Sequence, residues 1–151
     1  MLQLTRLWLA NVISSSENPE RSNLLNSTQN IKRLIPAILW SGIIFFLCFL
    51  PGSALPKEDW LDKIYFDKIV HATLYFILFF LVMYGTNTTS FSFKQQLIVA
   101  SKICVLQGIL IEFVQGSAFI QHRSFDVYDI VANCVGVVFA IMLKSKNDNQ
   151  T

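Results

Sequence analysis

Four apolar runs, separated by polar segments, constrain this chain more than any other feature of its sequence. They cover residues 34–50, 69–85, 97–113 and 127–143. A membrane-spanning helix needs about 20 mostly apolar residues, with a lower limit of about 17, so each run qualifies once its flanking residues are included. The first run holds no charged residue. Apart from His71, the second is apolar on every side of a helix, as a lipid-exposed or fully buried helix would be. The sequence therefore predicts an all-α, polytopic membrane helix bundle with four transmembrane helices.

The composition agrees with this prediction and excludes some classes of partner. The 151 residues are 53% hydrophobic and only 15% charged, against about 25% charged in soluble domains. A soluble helical bundle is the rival interpretation, and the charge-free first run disfavours it. A net charge of +2 gives no indication of nucleic-acid binding. Cys48, Cys104 and Cys134 lie in apolar runs without metal-type spacing, so they are expected to pack as small hydrophobic residues.

Charge placement predicts the domain boundaries and the topology. Residues 1–30 are mostly polar and are predicted to be a flexible cytoplasmic tail, 31–144 the membrane domain, and 145–151 a second short tail. Pro36 is expected in the first turn of the first helix, where proline costs little. Lys and Arg concentrate in cytoplasmic loops. With four spans, eight of the 12 fall on the side of both termini, so both termini are predicted to be cytoplasmic.

The polar residues that interrupt the apolar runs are expected to lie at one depth, near the outer end of the bundle. At about 100° per residue, each helix carries its polar residues on one face. Small residues follow on two of these faces, namely Cys104 and Gly108, then Gly136 and Ala140, and small residues let membrane helices approach closely. The predicted polar cluster, with Tyr75 on the same face as His71, consists of Asp67, Lys68, His71, Tyr75, Glu112, Gln115, Arg123, Asp126, Asp129 and Asn133.

Two interpretations of this cluster stay open from the residues alone. The groups can pair with one another and fix the register of the helices. They can also form a functional pocket, because charged groups within membrane segments often mark function. The surplus of acids over bases favours the pocket, since pairing alone does not require it. A metal site of Asp67, His71, Glu112 and Asp129 is disfavoured by the lack of a compact ligand motif, so no metal and no cofactor is predicted.

In order and spacing, these residues resemble the VanZ-like family of small bacterial membrane proteins over residues 34–143. The resemblance lies in Asp67-Lys68-Ile69-Val70-His71 with Tyr75, Glu112 with Gln115, and then Arg123, Asp126, Asp129, Asn133 and Gly136, preceded by the Pro51–Pro56 segment. The family is named for a protein associated with teicoplanin resistance. The resemblance implies a place in the bacterial cytoplasmic membrane, a role in the cell envelope and a contribution to glycopeptide resistance.

Three functions remain as hypotheses. The first is a pocket that binds an amphiphile, such as a lipid-linked cell-wall precursor or a lipoglycopeptide, with Arg123 holding a phosphate or carboxylate. The second is an enzyme on a lipid-linked substrate, with His71 as base, Asp67 orienting it and Glu112 as a further catalytic candidate; no nucleophile motif supports it. The third is a lipid or proton-coupled carrier. Membrane lipids are expected partners, and a homo-oligomer is possible because a dimer would double the number of spans.

Overall fold

The structure, a computed structural model, describes residues 19–50, 66–87, 91–117 and 125–148, with side chains from residue 32 onward. The described residues form four helices with no strand between them. The all-helical architecture predicted from the apolar runs is therefore confirmed. The helices are α1 (Pro19–Cys48), α2 (Phe66–Thr86), α3 (Phe93–Gln115) and α4 (Val127–Asp148).

Helix α2 is the centre of the bundle and packs against each of the other three helices. Tyr75, Leu78 and Phe79 of α2 are fully buried, and Ile44 of α1 and Ile111 of α3 join them in the core. This position explains why α2 is apolar all round, because a helix with neighbours on several sides needs apolar residues on each of them. The sequence left a buried and a lipid-facing position open for this helix, and the structure combines them, because about half of the helix is buried while Ile69 and Tyr84 stay exposed.

Apolar side chains also cover the outside of the bundle. Leu106 and Phe113 of α3 are 66% and 73% exposed, and Phe139 of α4 is 61% exposed. Within the described residues, α2, α3 and α4 are long and apolar enough to cross a membrane. In hydrocarbon, an outer surface of this kind costs nothing, because lipid tails are as apolar as the side chains. The protein is therefore a multi-pass membrane protein.

Glycine brings α2 and α4 into close contact. A Cβ atom built on Gly136 of α4 would lie 2.1 Å from the carbonyl oxygen of Ala72 in α2, a distance that no real side chain can adopt. On α3, a Cβ on Gly108 would lie 2.9 Å from the Asn133 side-chain nitrogen. The two positions behave as small residues do in membrane helix contacts, where they allow the backbones to approach.

The first helix differs from its prediction. It begins at Pro19, inside the segment 1–30 that was predicted to be a flexible tail, and proline is favoured at the start of a helix. Pro36 accordingly lies in the helix interior and not in a first turn, so the prediction for Pro36 was wrong. In the helix interior, Pro36 has no backbone N–H to donate, so one helical hydrogen bond is missing. At the other end of the chain, α4 continues to Asp148, past the predicted boundary at residue 144.

Candidate functional site

The polar residues come together because the four helices alternate in direction. Gln115 at the end of α3 donates a hydrogen bond from Nε2 to the Cys48 carbonyl oxygen at the end of α1, at 2.7 Å. Lys68 in the first turn of α2 contacts Asp126 immediately before α4. The carboxyl ends of α1 and α3 and the amino ends of α2 and α4 therefore meet at one end of the bundle, which we call the polar end.

Lys68 binds three carboxylates at the polar end. Its ammonium nitrogen lies 2.9 Å from Asp67 Oδ2 and 2.5 Å from Asp126 Oδ2, and it also contacts Asp129 Oδ1. An ammonium group has three donors, and each of them finds one acid here. The Asp67 side chain is 59% exposed and that of Asp129 only 9%, so the cluster runs from solvent into the bundle.

Asp126 connects α3, α4 and the Lys68 cluster. Its Oδ1 accepts from the Tyr128 backbone N–H at 2.8 Å, which caps the start of α4. Its own backbone N–H donates to Glu112 Oε2 at 3.0 Å. The hydrogen bond from Lys68 lowers the pKa of Asp126 below its ordinary value, because a nearby positive charge favours the ionised carboxylate.

His71 is buried one turn below Lys68 and faces α4. Its Nδ1 lies 3.1 Å from Asn133 Oδ1, and its Nε2 lies 3.7 Å from Asp129 Oδ2. The hypothesis that Asp67 orients His71 was wrong, because Asp67 turns to Lys68 at the protein surface while Asp129 and Asn133 face the imidazole. Residues 67 and 71 share a face of α2, but the contacts of the ring are decided by α4.

Glu112 is completely buried between the helices. Its Oε1 has no hydrogen-bond partner among the residues that the structure describes. Ligand-capable atoms of His71, Glu112 and Asp129 all lie within 4.8 Å of one another. Three of the four residues that the sequence considered as a metal site are therefore adjacent, whereas Asp67 lies outside this group.

Gln115 and Tyr75 make their contacts outside the Lys68 cluster. Gln115 is buried and joins α3 to α1 through the Cys48 carbonyl. Tyr75 is fully buried in the apolar core, where its hydroxyl has no hydrogen-bond partner within the described part of the chain. Arg123, which was predicted to hold a phosphate or carboxylate, lies outside the described residues, as does its neighbour His122.

A groove of about 880 Å³ opens between α2 and α4 beside the cluster. Charged residues line one end of it, and small or apolar residues line the rest. These apolar residues were not among the predicted site residues, although their spacing along α2 and α4 is helical. The groove is lined by Asp67, Lys68, Ile69, Ala72, Asp126, Tyr128, Val131, Ala132 and Val135.

Comparisons with known proteins place the chain in a family. The family model described as VanZ/LLP1 matches residues 3–145. The match therefore extends beyond the 34–143 segment that carried the resemblance and includes most of the amino-terminal segment.

The chain is also 38% identical over 99 residues to an uncharacterised protein of the fission yeast Schizosaccharomyces pombe, C11E3.10. The match covers 65% of this chain and 53% of that protein, so the chain spans about half the length of this curated relative. No solved structure gives a significant match.

Proposed function

This chain belongs to the VanZ/LLP1 family, and from that membership and the geometry of its polar end we propose that it binds an amphiphile in the groove between α2 and α4. The observation that carries the proposal is the lining of the groove. Asp67, Lys68 and Asp126 stand at one end, and apolar residues such as Ala72 and Val135 continue along its length. A headgroup would meet the charged end while its chain lies against the apolar wall.

The charges of the cluster favour a headgroup that contains an amine. Lys68 already has three carboxylate partners, so its positive charge is neutralised within the protein. Asp67 and Asp126 retain exposed carboxylate surface, with 59% and 36% of their side chains exposed. An ammonium group at the mouth would gain charge-assisted hydrogen bonds from these acids. We assign Arg123 to a phosphate or carboxylate of the same ligand, which makes a zwitterionic headgroup the best match.

The family resemblance adds a finer proposal about the cellular role. The protein would lie in a bacterial cytoplasmic membrane with four spans and both termini in the cytoplasm. Its ligand would be a lipoglycopeptide or a lipid-linked cell-wall precursor, and its binding would contribute to glycopeptide resistance. The similarity to a fission yeast protein favours the broader statement, an amphiphile with a zwitterionic headgroup, over a ligand restricted to bacterial walls.

An enzyme acting on a lipid-linked substrate is the second candidate. The observation that favours it is the buried His71, which has Asn133 on one ring nitrogen and Asp129 near the other. This arrangement orients an imidazole for proton transfer. His71 is buried and does not line the groove, so a substrate bound in the groove would not contact the imidazole directly.

A pair of variants on α4 tests the groove. Val131 lines the groove and is 52% exposed, whereas Val138 on the same helix is 54% exposed and lies outside the groove lining. We expect Val131→Trp to lower the affinity for a fluorescent zwitterionic phospholipid in detergent micelles by about tenfold, or about 1.4 kcal/mol. Val138→Trp should leave the affinity unchanged. Equal effects of the two substitutions would remove the groove as the binding site.

A further inference from the structure

We infer that His71, Glu112 and Asp129 form a binding site for one divalent transition-metal ion, with Zn²⁺ as the best-matched ion. The three residues come from α2, α3 and α4, and their ligand atoms lie within 4.8 Å of one another. All three are buried, with exposures of 6%, 0% and 6%. This site lies inside the bundle, none of its three residues lines the groove, and it does not depend on what the groove binds.

The hydrogen bond of His71 leaves its second nitrogen free to bind a metal. Asn133 Oδ1 can only accept, so the Nδ1 that lies 3.1 Å away carries the hydrogen. In the neutral ring, Nε2 then presents a lone pair towards Asp129 Oδ2. Metal-binding histidines almost always donate their other ring N–H to an oxygen acceptor in this way, which fixes the tautomer and the ring orientation.

The distance between His71 and Asp129 matches a pair of metal ligands better than a hydrogen bond. Nε2 and Oδ2 are 3.7 Å apart, beyond the limit of about 3.2 Å for an N–H···O hydrogen bond. Two ligands of a tetrahedral zinc ion, each about 2.0–2.1 Å from the metal, lie about 3.4 Å apart. A cation between the two atoms would relieve the repulsion between their lone pairs.

Glu112 provides the independent evidence for a ligand. Its side chain is fully buried, and its Oε1 has no partner among the described residues, although leaving a buried acceptor unsatisfied is costly. Its other oxygen is held in place by the backbone N–H of Asp126 at 3.0 Å. The carboxylate thus has one oxygen held in place and one unpaired among the described residues, and one of its oxygens lies within 4.8 Å of the ligand atoms of His71 and Asp129.

The neighbouring carboxylates do not form an equivalent site. Ligand atoms of Asp67, Asp126 and Asp129 also lie within 4.8 Å of one another, but Lys68 contacts all three. That group already has its cation, the lysine ammonium. The combination of one imidazole and two carboxylates in the deeper group suits zinc, since carboxylates alone favour magnesium, calcium or manganese.

Zinc binding to the full-length protein tests the site. The chain is purified in detergent, stripped with a chelator, and titrated with Zn²⁺ against a chromophoric competitor, with Mg²⁺ as the comparison ion. We expect one zinc ion per chain and no competition from Mg²⁺. His71→Gln and Glu112→Gln should each weaken zinc binding by about 100-fold. Losing a residue that only supports a metal ligand already weakens binding by about 10- to 100-fold, so losing a ligand should cost at least the upper value.

Two substitutions serve as matched controls. His122→Gln removes the other histidine of the chain, and Asp67→Asn removes a carboxylate from the group that Lys68 occupies. Both should retain wild-type zinc affinity. The proposal is overturned if the wild-type chain binds no zinc, if the His71 and Glu112 variants bind it as tightly as the wild type, or if either control loses as much affinity as they do.

A measurement on the wild-type protein covers the case in which the site variants fail to fold. X-ray absorption of the zinc-loaded chain should show one imidazole nitrogen in a shell otherwise made of oxygen, at about 2.0–2.1 Å. A shell with no imidazole, or one containing sulfur, would reject the site regardless of how the variants behave.

Discussion

At the scale of single residues, Lys68 has the greatest influence on the polar end. It joins α2 to Asp126 and Asp129, and Asp129 is nearly buried. Removing the ammonium group would leave that carboxylate without its donor, and breaking a fully buried ion pair costs about 3–5 kcal/mol. The outer two acids are partly solvated and contribute less.

We therefore expect Lys68→Met to lower the free energy of unfolding by about 2 kcal/mol, below the range for fully buried pairs. Thermal melting in detergent measures the change as a lower melting temperature. Lys102→Met is the matched control, because Lys102 lies on the exposed side of α3 and should be replaced without effect. A Lys68 variant that melts at the wild-type temperature would show that the acids have other donors.

Asp126 makes the stability depend on pH. Its pKa is lowered in the folded protein by the hydrogen bond from Lys68, so the folded state favours the carboxylate more than the unfolded state does. The resulting stabilisation is present above the ordinary pKa of 3.8 and is lost as the pH falls through the lower pKa of the folded state. Melting temperatures at pH 7 and pH 3 should differ less for Asp126→Asn than for the wild type, and an equal difference would contradict this.

At the scale of helices, the contact between α2 and α4 depends on Gly136. A Cβ there would meet the backbone of Ala72 at 2.1 Å, and backbone atoms cannot move aside as the end of a flexible side chain can. Overpacking of this kind costs about 1–3 kcal/mol. Because α2 and α4 carry Lys68, His71 and Asp129, their separation would also disturb the polar end.

We expect Gly136→Ala to lower the melting temperature in detergent despite the higher helix propensity of alanine. Gly42 provides the matched control, since a Cβ there meets nothing within 4 Å. Gly42→Ala should be neutral or stabilise by up to about 1 kcal/mol, the helix-propensity difference. If both substitutions behave alike, the close approach of α2 and α4 is not a determinant of stability.

For the whole molecule, the eight-to-four split of Lys and Arg predicts how the helices are oriented in the membrane. Ser117 lies at the polar end after α3, and Ser145 lies in the last turns of α4 at the opposite end. In a variant without the three native cysteines, a cysteine at position 117 should react with an impermeant reagent added outside intact cells. A cysteine at position 145 should not. Labelling at position 145 alone would reverse the predicted topology.

Sequence patterns alone predict helices α2, α3 and α4 and the faces that carry their polar residues. Apolar runs of span length are sufficient to define α2, α3 and α4, because hydrocarbon tolerates few polar residues and requires each helix to satisfy its own backbone. The helical period then determined that Glu112 and Gln115 share a face of α3, and that Asp129, Asn133 and Gly136 share a face of α4. These are local properties, set by geometry within about four turns of a single helix.

Which of these residues meet depends on how the helices pack against one another. A helical face holds several candidates, and the rotation and depth of the neighbouring helix select among them. Hence His71 faces Asn133 and Asp129 while Asp67, on the same face of α2, binds Lys68 at the surface. The early start of α1 at Pro19 and the apolar wall of the groove were likewise beyond sequence patterns. A polar amino-terminal segment has no apolar period to reveal a helix, and a groove exists only where two helices lie side by side.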